Sequence, residues 1–87
     1  MAVVKWNVSA YRWLSDAETI YYRLQKYPES YTPEPLLRDR NRLFRSCRMM
    51  GGRYRLIYYY NPTTDIVRIV DIWDTRMNPE TLKKRIK

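Results

Sequence analysis

The stretch LFRSCRMMGGRYRLIYYYNPTTDIVRIVDIWDTRMNP, residues 43–79, sets how this chain folds. From Leu43 the side chains alternate with a period of two. Leu43, Arg45, Cys47 and Met49 share one face, and Phe44, Ser46, Arg48 and Met50 the other. Gly51-Gly52 then supplies residues that accept positive φ, which predicts a tight hairpin turn. The next strand runs from Arg53 to Tyr60. Tyr54, Leu56, Tyr58 and Tyr60 lie on one face, with Arg53, Arg55, Ile57 and Tyr59 on the other. Asn61-Pro62-Thr63-Thr64-Asp65 predicts a turn, because Pro fixes φ and Asn and Asp bond the local backbone. Ile66 to Trp73 is the third strand of the meander. Asn78-Pro79-Glu80 has the order N-cap, first helical residue, first-turn acid, so a short helix is expected over 79–86.

Upstream, Ala2-Val3-Val4-Lys5-Trp6 reads as a short strand. Ala10, Leu14, Ala17, Tyr21 and Leu24 recur at helical spacing, with Trp13, Ile20 and Tyr27 widening the stripe toward the core. One helix over about 9–26 is favoured; a helix starting near 16, behind the capping box Ser15-Asp16-Ala17-Glu18, is the other reading. Pro28, Pro33 and Pro35 make the following segment an extended connector. Leu36 and Leu37 are expected to tuck under the core, and residues 38–42 to form a polar loop or a single turn. The expected fold class is α+β: an N-terminal strand and helix, a three-stranded antiparallel meander and a short C-terminal helix. The helices would pack on one face, leaving arginines on the other.

With 87 residues, the chain is expected to be one domain, residues 1–87. It has no His and a single Cys47. That excludes histidine acid–base chemistry, Cys₂His₂ zinc sites and an intrachain disulfide, and no cofactor or metal is expected. Cys47 reads as a buried structural thiol. The start shows no signal-peptide pattern and no segment approaches a membrane span, so a cytoplasmic setting without membrane partners is expected.

The formal net charge is +8, from 17 Lys+Arg against 9 Asp+Glu, and 12 of the 17 are Arg. The whole excess lies in residues 38–87; the first 37 residues are neutral. Such a one-sided block suits an anionic partner, nucleic acid first and an acidic protein second. Arg rather than Lys favours binding over mere solubility, since its planar fork matches phosphate and carboxylate.

Four pieces in order resemble the RelE/ParE superfamily of type II toxins, the plasmid stabilisation proteins. They are Arg45-Ser46-Cys47; Gly52-Arg53-Tyr54-Arg55-Leu56-Ile57-Tyr58-Tyr59; Ile66-Val67-Arg68-Ile69-Val70; and Asp74-Thr75-Arg76-Met77-Asn78-Pro79. A Leu-x-x-x-Pro stretch, Leu24 to Pro28, precedes them. The resemblance implies a toxin paired with a cognate antitoxin. RelE-like members cut mRNA on the ribosome and ParE-like members inhibit DNA gyrase. It places Arg55 at the arginine that contacts the cleaved phosphate in RNase members and Arg76 near a second such arginine. Arg45 and Arg48 fall on the strand that supplies further basic residues.

On this reading the candidate catalytic residues are Arg55, Arg76 and Tyr59, and the nucleic-acid-binding residues are Arg45, Arg48, Arg53 and Arg68. Tyr59 enters because it alternates with the Arg face, where it could move a proton or stack on a base. The expected function is a RelE-like mRNA interferase acting on mRNA at the ribosome. Gyrase inhibition and a non-toxic basic binding module are the alternatives. The chain departs from the RNase members in having no His or Tyr after the last strand. It also has room for little more than one helix where many relatives carry a hairpin.

Overall fold

The computed structural model describes residues 1–6 and 17–86. Four strands form one sheet: β1 (Val3–Trp6), β2 (Phe44–Met49), β3 (Tyr54–Asn61) and β4 (Ile66–Asp74), in the order β1-β4-β3-β2. The expected meander is present as β2, β3 and β4, each antiparallel to its neighbour. The N-terminal strand joins the same sheet, parallel to β4.

Helix α1 spans Ala17–Lys26. The expected stretch 9–16, with Trp13, lies outside the described residues. Ile20 and Leu24 are buried against β1 and the sheet, as their spacing predicts. Tyr27 departs from the stripe: it lies past the helix end and is 63% exposed. Pro28 is the reason, since a residue before proline is pushed out of the helical region.

A second correction concerns the sheet's faces. Helix α1 covers one, packing with Leu56, Tyr58, Val67 and Ile69. The other is covered in part by α2 (Pro79–Arg85) and by a single 3₁₀ turn (Pro35–Leu37). Leu37, Leu82 and Ile86 pack there on Phe44, Ile57 and Trp73. The helices therefore lie on opposite faces. Apolar residues alternate to both sides of β2 and β3, so each side needs a cover.

A bulge makes this possible. The β3–β4 register passes from Ile57↔Asp71 to Tyr58↔Ile69, leaving Val70 as the extra residue. Strict alternation from Val67 and Ile69 would carry Asp71 and Trp73 toward α1. The bulge instead turns them to α2 and keeps Ile72 on the α1 side. Asp71 then meets Arg85 of α2 at 2.6 Å. Burial raises the Asp71 pKa, and the Arg85 charge partly offsets it.

Candidate functional site

The hairpin between β2 and β3 is wider than a two-residue turn. Met50, Gly51 and Gly52 have φ of 51°, 67° and 94°. Arg53 follows in a right-handed helical conformation, so β3 starts at Tyr54 rather than Arg53. The alternation of β3 therefore does not reach Arg53. Its guanidinium leans over the Tyr54 ring at 5.7 Å.

Arg48 and Arg55 are cross-strand neighbours on the α2 side of the sheet. Both line a groove of about 520 Å³ whose other wall is the connector at Tyr31, Thr32, Pro33 and Pro35. That connector runs along the outer edge of β2. Glu34 N–H donates to Phe44 O at 2.9 Å, and Ser46 N–H donates to Thr32 O at 3.1 Å. Prolines at an edge cost no ladder bond, so Pro33 and Pro35 fit there.

Glu34, between those prolines, was not among the expected site residues. Its carboxylate is fully buried. One oxygen accepts from Arg55 Nη1 at 2.7 Å, and the other from Leu36 N–H at 2.9 Å, capping the 3₁₀ turn. An acid directly before a proline at a helical start is a capping signal, and that order could have pointed to it.

Arg76 is at the same end of the sheet, beyond β4. Its Nε and Nη2 both bond Asp74, at 3.1 and 2.7 Å, and its backbone N–H adds a third bond at 2.9 Å. This grip lowers the Asp74 pKa to about 2. Thr75 stitches the strand end to the turn, donating its hydroxyl to Gly52 O at 2.9 Å. Arg48, Arg53, Arg55 and Arg76 are thus gathered at the turn end of the sheet. Arg48 and Arg55 flank the groove, whereas Arg53 and Arg76 lie by Tyr54 and Asp74.

The other expected residues are elsewhere. Arg45 donates to Tyr31 O at 2.6 Å and reaches Glu29 at 3.8 Å, holding the connector in place. Tyr59 shares a face with Arg55 but sits four residues along the strand, roughly 13 Å away, with fully buried Ile57 between them. Its ring meets Phe44 edge-on at 5.8 Å and carries the Arg42 guanidinium at 4.0 Å. Arg68 pairs with Tyr59 in register and belongs to that far end. Among the described residues no cluster of three or more Cys, Asp or Glu side chains could hold a metal ion. No helix among them is long and apolar enough to cross a membrane.

A four-stranded mixed sheet with one helix on each face and a basic hairpin end is a RelE/ParE-like arrangement. A family model described as the ParE toxin of the type II toxin–antitoxin system parDE matches residues 2–79. The chain belongs to that toxin family, a class whose members are paired with an antitoxin. No curated protein and no solved structure matches it.

Proposed function

We propose that this toxin acts by occupying its target rather than by cutting RNA, and that the target is DNA gyrase, the ParE-like reading. The pairing of Arg55 with buried Glu34 carries the proposal. RNA cleavage needs one group to take the 2′-hydroxyl proton and another to protonate the leaving oxygen. Each is worth about 10²–10⁴-fold. Glu34 is shut away from solvent with both oxygens engaged. Asp71 and Asp74 are held by Arg85 and Arg76. Tyr59 is remote from Arg55 along β3. Among the described residues no carboxylate beside Arg55 is free to exchange a proton, and burial pushes up the pKa of Tyr31 in the groove wall. An RNase would therefore lean on the ribosome for proton transfer; an inhibitor needs only a shaped, charged surface.

Arg48 and Arg53 are the side chains best placed to meet an anionic target, since both are exposed and neither makes a hydrogen bond or a salt bridge among the described residues, Arg53 feeling Asp74 only at longer range. The test is induced expression without an antitoxin, followed by two assays. Gyrase supercoiling should fail in the presence of the purified protein. Primer extension on cellular mRNA should show no new ends. Cuts at codon boundaries with gyrase untouched would overturn the proposal in favour of the ribosome-dependent mRNA interferase. Unimpaired growth at confirmed expression would leave the non-toxic binding module. An Arg48→Gln/Arg53→Gln variant should relieve gyrase inhibition at least tenfold while keeping its thermal midpoint.

A further inference from the structure

The far end of the α2-side face carries a second basic feature, remote from the groove. Lys5 of β1, Arg68 of β4 and Tyr59 of β3 are register neighbours and form one cross-strand row, closed by Phe44 of β2. Arg42, exposed in the loop before β2, lays its guanidinium on the Tyr59 ring. Helix α2 covers the sheet around Ile57 and Trp73, but this row stays open. Lys5 is exposed, Arg68 and Tyr59 are half-buried, and Val3 beside them is 53% exposed.

Like Arg48 and Arg53 at the turn end, the cations of this row make no salt bridge among the described residues. Arg40, Arg45, Arg55, Arg76 and Arg85 each bond a carboxylate or carbonyl. Lys5, Arg42 and Arg68 make no hydrogen bond or salt bridge among the described residues. Like charges at adjacent register positions, about 4.8 Å apart between strands, are destabilising unless an anion bridges them. Among the described residues five arginines are held internally, while these three cations make no ion pair, Lys5 and Arg68 on the sheet and Arg42 in the loop beside it.

We infer that the Lys5–Arg68–Tyr59 row, with Arg42, is a nucleic-acid-binding surface distinct from the Arg48/Arg55 groove. The row meets a phosphodiester backbone, whose charges repeat along a line as the cations do. Arg42, already stacked on Tyr59, offers a planar cation on which an unpaired base can lie. A single-stranded segment is therefore the best fit. Neither choice of toxin target, gyrase or ribosome, alters this surface.

The test uses the full chain and a fluorescein-labelled single-stranded DNA oligonucleotide, with anisotropy read over a salt series. Binding should weaken as salt rises. Lys5→Gln/Arg68→Gln should lower the slope of log K against log salt by about 1.4, at roughly 0.7 for each phosphate no longer neutralised. Lys26→Gln, exposed on α1 over the opposite face, should leave that slope within error of the unaltered chain. Absence of binding, a slope unchanged in Lys5→Gln/Arg68→Gln, or equal displacement by poly-glutamate would overturn the inference. Arg42→Gln adds a second readout, because removal of a stacking cation should weaken a base-bearing strand more than it weakens pyrophosphate. Supercoiling by gyrase is scored separately, so failure of the proposed function and failure of this surface are distinguishable.

Discussion

Removing Arg55 would leave the Glu34 carboxylate buried without its cation. Breaking a buried pair from one side costs about 3–5 kcal/mol. Arg55→Ala is therefore expected to lower the thermal midpoint sharply, and loss of toxicity in that variant would not by itself report on target contact. Adding Glu34→Gln should recover much of the stability, since the amide needs no counter-ion and can still accept from Leu36 N–H. A double-mutant cycle by thermal denaturation checks this, with a strong positive coupling expected. At Asp74 the sign is that of a depressed carboxylate. Its folded pKa of about 2 lies below the ordinary 3.8. The stability it adds is present above that ordinary value and disappears as pH falls through about 2. Melting curves of the natural chain and Asp74→Asn should therefore converge between pH 4 and pH 2. Asp71 has the opposite sign: burial raises its pKa above the ordinary 3.8, so acidification toward that value favours the native state at this one group, and below it the gain is complete.

Helix α2 is only seven residues long, too short to hold by propensity, and depends on both ends being satisfied. Asn78 Oδ1 accepts from Glu80 N–H at 3.0 Å. At the other end Arg40 donates to the carbonyls of Lys83 and Ile86 at 2.7 and 3.2 Å. The polar loop that holds Arg40 is thus the C-terminal cap of a helix more than 40 residues later in the chain. Arg40→Ala should fray α2 and speed amide exchange at Leu82 and Ile86 without altering β3. Arg40→Lys should not rescue it, because two carbonyls at that spacing need a fork. Strand β3 is the central element, buried on both faces at Leu56, Ile57 and Tyr58. Tyr58 donates its hydroxyl to Pro28 O at 2.9 Å, and burial holds its pKa above the ordinary range. Tyr58→Phe should cost about 1–2 kcal/mol in denaturant unfolding, because it leaves that carbonyl unpaired.

At the scale of the whole molecule the +8 charge divides into two populations. Arg40, Arg45, Arg55, Arg76 and Arg85 hold the fold; Arg38, Arg42, Arg48, Arg53 and Arg68 make no hydrogen bond or salt bridge among the described residues. Changing the second five together to Gln should leave the thermal midpoint unchanged or raise it, because self-repulsion falls. The same variant should lose growth arrest, as read by plating after induction. Element types are legible in residues 43–79, because a two-residue period, a glycine pair and an Asn-Pro start are local signals that leave few alternatives. The resemblance carried by those residues agrees with the ParE family match. The candidate site is legible only as a set of basic residues. Alternation assigns Arg55, Ile57 and Tyr59 to one face correctly, yet does not reveal that Ile57 is fully buried and separates the other two. It also takes Arg53 as extended, where three positive-φ residues turn the chain first. The strands, the capped C-terminal helix, the location of the charge and the absence of histidine chemistry can all be read along the chain, because each is a property of neighbouring residues or of composition. Four things come from folding alone: which arginines are neutralised, that Glu34 pairs with Arg55, that a bulge at Val70 sends Asp71 to α2, and that the helices take opposite faces. These depend on long-range packing, in which buried groups find charge and hydrogen-bond partners only once the sheet has formed.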